Sequence, residues 1–401
     1  MYISQYNRSK PKLIRITTVP LSLEKLLEGQ LTYMKGHFEV TAISADVERL
    51  KVYGTKNRVK VFPVEMTRQI TPIKDLKALL KLVRFLKKEQ PAIVHTHTPK
   101  AGIVGMLASK LAGVPIRLHT VAGLPLMEAN GKKRKLLETV ERITYRCATK
   151  VYPNSKGLYD FIRAQNFTLN TKLKIIGKGS SNGIDTHHFD PELFTEEAKY
   201  DFRKELGILA TDFVYVFVGR LVGDKGINEL VQAFHEICDL EQSRAAKLLL
   251  VGPLETNLDP LEASILKVIK ENTNIIAVGY QQDVRSYLAI SDALVFPSYR
   301  EGFPNVVMQA GAMGLPSIVT NINGCNEIIE DSKNGLIIPR KNVEALVNAM
   351  LKIINDQQLY LKLKQTARPM IVNRYQRKEV WQALLEEYKS LLQEKGLSLD
   401  K

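Results

Sequence analysis

Two segments in the second half of the chain combine charged side chains with glycines at the end of an apolar run. In the first segment, FVGRLVGDKG, Gly219 is followed by Arg220 and Lys225. In the second, ALVFPSYREGFPNVVM, Glu301 and Gly302 precede a helical pattern. Arginine offers a planar fork of donors and lysine a compact charge, so both suit the oxygens of a diphosphate. A carboxylate such as Glu301 accepts hydrogen bonds, and sugar hydroxyls can supply them.

The residues after Glu301 have the pattern of a helix start. Pro304 fits the first helical position, where a missing N–H costs nothing. The next amides would point out of the helix beside the positive end of its dipole, which favours phosphate. We therefore predict a phosphate site at the amides of Asn305, Val306 and Val307, on which Arg220 and Lys225 could converge. An ordinary helix start and two solvated loop cations remain the alternative at this point.

The elements that must position these residues alternate between short β-like runs and longer helical stretches. This alternation predicts an α/β fold with doubly wound parallel sheets. The predicted strands cover 13–18, 38–43, 59–62, 92–95, 116–120, 150–153, 174–176, 214–218, 247–251, 275–278, 293–296, 317–319 and 335–338. A P-loop motif is absent, and no G-x-G-x-x-G follows the first strand, which disfavours P-loop and ordinary dinucleotide binding.

The chain length and one polar segment predict two domains. A chain of 401 residues exceeds the size at which one hydrophobic core keeps growing. The segment 177–185, GKGSSNGID, is rich in turn-forming residues and separates the two strand series. We predict a first doubly wound domain over 1–183, a second over 184–375, and a helix over 376–401 that packs back on the first domain. Ligand-binding strand ends would then face one another across a cleft.

The bulk composition restricts the partners and the compartment. A net charge of +15 favours an anionic partner such as a phosphorylated small molecule or an acidic membrane surface. The basic clusters carry no stacking aromatics and no nucleic-acid-binding signature, so we predict no nucleic acid. The three cysteines are far apart, and the first residues lack the apolar centre of a secretory signal. We therefore expect a cytoplasmic protein.

Several separated motifs resemble one enzyme family. The chain carries R-x4-K-G from Arg220, E-G-F-P-N-V-V-M-Q from Glu301, and N-G-I-D from Asn182. In this order the motifs are similar to those of the retaining GT-B glycosyltransferases of family 4. The resemblance covers essentially the whole chain and is strongest over 177–339. In detail it is nearest to bacterial enzymes that extend sugars on polyprenyl-diphosphate carriers for capsule, O-antigen or glycan assembly.

The resemblance implies that the domain over 184–375 binds a nucleotide sugar, in a donor site made of Gly219, Arg220, Lys225, Gly252, Glu301, Gly302, Phe303, Pro304, Asn305, Val306, Val307 and Gln309. Arg220 and Lys225 would neutralise the diphosphate of a UDP-sugar, or less favourably a GDP-sugar, as the hexosyl group leaves. Glu301 would contact hydroxyls of the transferred sugar. Gln309 stands where the family usually has a second glutamate that binds the ribose. No D-x-D motif is present, so we expect no metal and no other cofactor. Front-face attack, with the acceptor hydroxyl activated by the departing diphosphate, is the mechanism that the family implies.

The first half of the chain is expected to bind the acceptor. His97 ends the predicted strand of VHTHTPKAG, Lys100 follows in the loop, and His119 ends the next strand. His119 is a candidate catalytic residue, although many relatives carry their histidine where this chain has Ala122. Apolar residues and the KKRK cluster share the stretch 124–146, which predicts peripheral attachment to the anionic inner face of the plasma membrane, beside a lipid-linked acceptor.

Two other functions remain open from the sequence. The HTHTPKAG stretch has a similar look in nucleotide-sugar epimerases of the same fold, which act on a nucleotide sugar without an acceptor. A basic protein that binds membrane or nucleic acid without catalysis would also account for the net charge.

Overall fold

The chain folds into two compact units, as shown by a computed structural model. The structure describes residues 10–67, 69, 71–127, 129–238, 245–257 and 259–397. Unit 1 comprises residues 1–183 with 378–401, and unit 2 comprises residues 184–377. Each unit contains one six-stranded parallel sheet, which confirms the predicted α/β class.

The sheet of unit 1 has the strand order β3-β2-β1-β4-β5-β6. Its strands are β1 (Lys12–Ile16), β2 (Glu39–Ser44), β3 (Lys60–Pro63), β4 (Ile93–His97), β5 (Ile116–Val121) and β6 (Lys150–Pro153). Its first seven helices are α1 (Pro20–Lys25), α2 (Gln30–Met34), α3 (Val47–Asn57), α4 (Pro72–Glu89), α5 (Pro99–Leu111), α6 (Gly131–Cys147) and α7 (Lys156–Ala164). Two apolar clusters form the core of this unit. Strands that are buried on both faces explain why the sequence shows continuous apolar runs.

The sheet of unit 2 has the strand order β12-β11-β10-β7-β8-β9. Its strands are β7 (Phe213–Val218), β8 (Ala246–Val251), β9 (Ile275–Gly279), β10 (Ala293–Phe296), β11 (Ser317–Thr320) and β12 (Gly335–Ile338). Its helices are α8 (Glu196–Glu205), α9 (Ile227–Cys238), α10 (Ala263–Glu271), α11 (Arg285–Ala289), α12 (Asn305–Ala312), α13 (Cys325–Ile328), α14 (Val343–Asn355) and α15 (Gln357–Tyr375). The central strand β7, FVYVFV, consists of β-branched and aromatic residues, which favour strands.

The last helix, α16 (Arg377–Glu394), belongs to unit 1. Its apolar side chains, including Leu384 and Tyr388, lie in one core cluster with Leu13 of β1. The boundary falls after residue 377 and not after the predicted 375. The backbone of Ile184 explains this shift, because it accepts from the amide of Arg377 and donates to the carbonyl of Tyr375, both at 2.9 Å.

Two local predictions are wrong. The predicted strand 174–176 is not formed. The preceding Leu173 pairs with Val151 of the edge strand β6 in one isolated bridge, and the amide of Lys174 donates to the carbonyl of Val151 at 3.2 Å. The glycine-rich segment that follows then leads the chain away. Helix α12 begins at Asn305, so Pro304 caps the helix from outside and is not its first residue. The extended ψ of 115° at Pro304 places that residue before the helix.

Candidate active site

A topological switch point lies at the centre of the unit 2 sheet. From β7 the chain continues to β8 and β9 on one side, and it returns to β10, β11 and β12 on the other. The loops after β7 and β10 therefore leave the carboxyl edge of the sheet in opposite directions. Parallel sheets bind ligands at this position. The β7 loop carries Arg220 and Lys225, and the β10 loop carries Glu301.

An ion pair joins the two loops. Lys225 Nζ contacts Glu301 Oε1, and each side chain is only 17% exposed. Ser298 Oγ donates a hydrogen bond of 3.0 Å to the same carboxylate oxygen. Glu301 Oε2 accepts no hydrogen bond from the part of the chain that the structure describes. The carboxylate is thus held through one oxygen, and the other is left for a ligand. Ser298, which has no motif around it, was not predicted.

The ends of β7 and β8 approach each other closely at two glycines. The amide of Gly219 donates to the carbonyl of Val251 at 2.9 Å. A Cβ atom on Gly252 would lie 1.7 Å from the carbonyl oxygen of Gly219, so only glycine fits there. The predicted donor-site glycines Gly219 and Gly252 are therefore neighbours. Because neither has a side chain, a ligand can approach their backbone beside the β7 loop.

The loop before α12 is held by two residues that the sequence analysis missed. Asn323 Nδ2 donates to the carbonyl oxygens of Glu301 and Gly302, at 3.2 and 3.1 Å. A Cβ atom on Gly324, at a φ of +76°, would lie 2.4 Å from the Gly302 carbonyl oxygen. This Asn-Gly pair is a turn signal in the sequence, and it follows the strand adjacent to β10. It fixes the backbone that carries Glu301.

The side chains at the start of α12 divide between core and surface. Phe303 and Val307 are buried, and the Phe303 ring packs edge-on against Tyr375 with centroids 5.3 Å apart. Val306 is half-buried, whereas Asn305 is exposed. These residues can therefore offer a ligand mainly their backbone. The amides of the first turn have no intrahelical acceptor, and no side chain caps the helix in its place.

Gln309 lies one helical turn beyond Asn305. Its side chain is half-buried and makes no hydrogen bond to any residue that the structure describes. Because residues four apart share a face of a helix, the amide of Gln309 is on the same side as Asn305. The group available at the predicted ribose position is therefore a neutral amide.

Arg220 has a carboxylate partner that was not predicted. Its Nη1 contacts Glu255 Oε2 at 2.9 Å, and the two side chains are 44% and 33% exposed. The contact follows from the backbone, because Leu221 and Leu254 form a bridge between the loops after β7 and β8. An exposed pair of this kind is weak, so a more highly charged ligand can displace the carboxylate.

Two of the three predicted acceptor-side residues are engaged in packing in unit 1. His119 is 3% exposed, its Nδ1 lies 2.8 Å from Thr96 Oγ1, and its ring lies against Gly102 of α5. Burial lowers the pKa of His119 to about 4. Lys100 is paired with Asp75 at 2.5 Å and is only 10% exposed. We therefore leave His119 and Lys100 out of the acceptor site.

His97 has a different environment, which includes an arginine that the sequence analysis missed. Its Nε2 lies 2.6 Å from Nη2 of Arg15, and both side chains are buried. The same Nη2 donates to Gln30 Oε1 at 2.6 Å, and Nη1 donates to the hydroxyl of Tyr388 at 2.7 Å. A charged residue inside the apolar run KLIRI was the signal that could have drawn attention to this position.

Helices α4 and α6 of unit 1 each present a face of basic and apolar residues. On α4 the exposed apolar residues are Ile73, Leu76 and Leu80, and on α6 they are Leu136 and Ile143. Exposed basic residues surround them, namely Lys74, Lys77, Lys81, Arg84, Lys87 and Lys88 on α4, and Lys132, Lys133, Lys135, Arg142 and Arg146 on α6. Among the described residues, no helix is both long and apolar enough to cross a membrane.

Comparison with known proteins places the chain in a family. The profile of "Glycosyl transferase 4-like domain" matches residues 34–177, and that of "Glycosyl transferases group 1" matches residues 199–370. The chain is 33% identical, over 96% of its length and 98% of the relative, to the "Capsular polysaccharide biosynthesis glycosyltransferase CapM" of Staphylococcus aureus. It is 29% identical to the Escherichia coli "UDP-Gal:alpha-D-GlcNAc-diphosphoundecaprenol alpha-1,3-galactosyltransferase", over 91% of the chain and 93% of the relative.

Solved structures agree on the fold. A glycosyltransferase from Rickettsia africae superposes with a TM-score of 0.79 at 21% identity, over 96% of this chain and 99% of that one. The Anabaena protein HepE, solved with UDP and glucose, superposes with a TM-score of 0.77 at 19% identity, over 95% and 100%. The two family profiles and the 33% identical CapM relative show that the chain belongs to the GT-B glycosyltransferases of family 4 and is a transferase, and the two six-stranded parallel sheets agree with that fold.

Proposed function

We propose that this transferase moves a hexosyl group from a UDP-sugar to a glycan on a polyprenyl diphosphate, with retention of the anomeric configuration. The observation that carries the proposal is the switch-point site of unit 2, which consists of Lys225, Glu301 and the first turn of α12. The names of two relatives support the substrates. The E. coli relative uses a UDP-sugar and a diphosphoundecaprenol acceptor, and a Campylobacter jejuni relative, 30% identical over 77% of the chain, also acts on a diphospho-undecaprenol sugar.

The switch-point site contains the groups that a leaving diphosphate needs. The amides of the first turn of α12 and the positive end of its dipole attract phosphate oxygens. Lys225 adds a nearly buried positive charge, which stabilises the charge that develops as the sugar departs. Arg220 reaches the same phosphates when it leaves Glu255. On this proposal the cations and the helix take the place of a divalent metal, so the reaction continues in the presence of a chelator.

Glu301 is proposed to bind the sugar. Its Oε1 is occupied by Lys225 and Ser298, so Oε2 accepts hydrogen bonds from sugar hydroxyls. A carboxylate engaged in this way serves to orient the sugar rather than to attack it. We therefore assign retention to attack from the face of the leaving group, with the acceptor hydroxyl deprotonated by a diphosphate oxygen.

The acceptor is assigned to unit 1, and the basic and apolar faces of α4 and α6 are assigned to an anionic membrane. Exposed leucine and isoleucine side chains insert into the interface, while the lysines and arginines around them attract anionic headgroups. Co-sedimentation with vesicles tests this part. We expect recovery with phosphatidylglycerol vesicles and little with phosphatidylcholine, and equal recovery with both would contradict the assignment.

The donor assignment is tested by thermal unfolding of the full chain with UDP, GDP and ADP and with their sugars. A ligand that binds only the folded state raises the melting temperature. We expect the largest rise with UDP and a UDP-sugar, and the donor site is wrong if no nucleotide changes the melting temperature. NMR of the product then gives the anomeric configuration, and incubation of the donor alone shows whether an epimer forms, as the epimerase alternative requires.

A further inference from the structure

Unit 1 contains a buried arginine without a carboxylate partner. Arg15 lies on β1, is completely buried, and contacts only neutral acceptors, namely Gln30, Tyr388 and His97. Over the described parts of the chain, no carboxylate forms an ion pair with it. Burial lowers the pKa of Arg15, yet a guanidinium stays charged in proteins. The charge therefore has to act on the neutral groups around it.

This charge determines where the protons of two histidines lie. A guanidinium only donates hydrogen bonds, so His97 Nε2 and the oxygen of Tyr388 must accept from Arg15. Burial, together with the charge of Arg15, holds the pKa of His97 well below its usual range, so the ring is neutral and its single proton is on Nδ1. The Tyr388 hydroxyl, whose oxygen accepts from Arg15, therefore donates its own hydrogen bond to Nδ1 of His95 at 2.6 Å. His95 therefore carries its proton on Nε2, which lies 2.7 Å from Thr120 Oγ1.

His97 also lines a small cavity. The cavity lies at the carboxyl ends of β4, β5 and β6, has a volume of about 20 Å³, and is lined by His97, Thr120, Asn154 and Ser180 among others. His97 Nδ1 and Asn154 Oδ1 are both buried and have no hydrogen-bond partner. The Asn154 amide is oriented by its Nδ2, which donates to Ser181 Oγ at 3.4 Å. A cavity of this volume has room for one oxygen atom with its hydrogens.

We propose that this cavity binds one hydroxyl oxygen, which accepts a hydrogen bond from His97 Nδ1–H and donates one to Asn154 Oδ1, with Arg15 as the positioning residue. Only a hydroxyl satisfies both groups at once. An ionised phosphate or carboxylate oxygen has no proton for Asn154, and an ammonium group has no lone pair for His97. The hydroxyl belongs either to a water molecule or to the sugar acceptor, and only the second source rests on the proposed function.

The first test is the proton position in the free protein. Histidine NMR of the full chain labelled with ¹⁵N distinguishes the two neutral forms of each ring, and His95→Gln and His97→Gln variants assign the signals. We expect opposite forms in these two stacked rings, whose centroids are 4.6 Å apart, with the proton on Nδ1 in His97 and on Nε2 in His95. An Arg15→Gln variant should lose the fixed form of His97. The wild-type spectrum decides even if that variant does not fold, because a proton on Nε2 of His97, or a charged ring at pH 7, overturns the proposal.

The second test concerns the oxygen in the cavity. Asn154→Leu fills the cavity with an apolar group, so the His97 Nδ1–H resonance should shift, whereas Asn170→Ala on the surface of unit 1 should leave it unchanged. In the wild type we expect a nuclear Overhauser effect from this proton to water. N-acetylglucosamine on a short-chain polyprenyl diphosphate is then added.

The two sources give different results in that experiment. If the water signal is replaced by one from the sugar, the acceptor hydroxyl occupies the site, and if the water signal persists, the site holds structural water. An effect to neither overturns the proposal. Failure of the glycolipid to bind, with the water signal intact, counts against the acceptor assignment and not against the cavity.

Discussion

The carboxyl edges of the two sheets use positive charge in different ways. In unit 2 the cations pair with carboxylates, Lys225 with Glu301 and Arg220 with Glu255. In unit 1 the cation is Arg15, which is completely buried among neutral groups. Arg220 is partly exposed and Lys225 is nearly buried, and the proposed function requires that a diphosphate can replace the carboxylate partner of each. Arg15 cannot reach a ligand and acts only by orienting its neighbours.

This difference predicts that different properties of the protein depend on the charges of the two units. In the empty site each cation is paired with a carboxylate, so no charge is left uncompensated. When a highly charged ligand binds, it takes the place of the carboxylate. A fixed cation with neutral partners instead gives permanent hydrogen-bond directions, but it keeps nearby histidines uncharged. We therefore expect ligand affinity and catalysis to depend on the unit 2 charges, and acid stability to depend on unit 1.

The largest expected effect is that of Lys225→Ala on catalysis. Loss of a preorganised charge at a leaving group typically lowers kcat by about 10²–10³. We expect kcat/KM for the UDP-sugar to fall by that amount and the rise in melting temperature with UDP to disappear. Lys225→Arg should restore only part of the activity, because the planar fork does not replace the compact ammonium.

A matched control separates this effect from a general loss of positive charge. Lys267 lies on α10 with 72% of its side chain exposed, so Lys267→Ala removes the same charge at a distant surface. Its kcat/KM should equal that of the wild type. If Lys225→Ala also retained full activity, Lys225 would have no part in the switch-point site.

The second prediction concerns acid, and it separates the units directly. His95, His97 and His119 of unit 1 are buried with lowered pKa values, whereas His187, His188 and His235 of unit 2 are exposed. A histidine with a lowered folded pKa stabilises the fold fully above the unfolded pKa of about 6.5, and this contribution is lost as the pH falls below it. At pH 5.5 the summed loss for the three rings is about 4 kcal/mol, because each unfolded imidazole binds a proton that the folded ring does not.

One carboxyl group in unit 1 opposes this loss. Burial raises the pKa of Glu141 to about 7, so this group destabilises the fold as the pH rises from about 4.5 to 7. As the pH falls from 7.5 to 5.5, protonation of Glu141 raises the free energy of unfolding by about 2 kcal/mol. The net loss of unfolding free energy in unit 1 is therefore about 2 kcal/mol. Hydrogen exchange of the full chain at both pH values should show β4 and β5 losing protection before β7 and β8. Equal losses would mean that the histidines do not set the acid stability.

The sequence predicted the sheets and the donor segments but not the contacts between them. Apolar runs such as FVYVFV indicate buried parallel strands, because a strand that is buried on both faces needs apolar residues at every position. The glycines and charges around Lys225 and Glu301 were visible because each follows such a run. Their pairing was not visible, since residues 76 apart meet only through the strand order. Glu255 belongs to no local pattern, and the Asn323-Gly324 pair indicates a turn but not that the turn holds the loop that carries Glu301.

The acceptor side was predicted less well, for a related physical reason. Histidines at strand ends indicate a site, but the sequence does not tell a ring that faces solvent from one that is covered. His119 is covered by Gly102 of α5, and Lys100 is taken up by Asp75 of α4, both through contacts between separate elements. Arg15 was missed because its partner Tyr388 is 373 residues away on the last helix.

The third prediction sharpens the comparison on the side of unit 2. Gln309→Glu would place a negative charge at the predicted ribose position. A hydrogen bond to a charged acceptor is stronger than a neutral one by about 1 kcal/mol. We therefore expect the Kd for UDP, measured by titration calorimetry, to fall about fivefold. Gln232→Glu, on α9, is the matched control and should leave the Kd unchanged. An unchanged or raised Kd in Gln309→Glu would show that Gln309 does not bind ribose.

The smallest expected effect tests whether the unit 2 ion pairs really are replaceable. Glu255 competes with a diphosphate for Arg220, so Glu255→Gln should free the guanidinium and tighten UDP binding. Exposed pairs contribute about 0.2–1 kcal/mol, which corresponds to a decrease in Kd of up to about fivefold. The difference in UDP affinity between Glu255→Gln and the wild type should be smaller at high salt, because screening weakens the Arg220–Glu255 pair in the wild type. Weaker binding by the variant would mean that Glu255 positions Arg220 for the phosphates and does not compete with them, and the contrast with the fixed cation of unit 1 would then no longer hold.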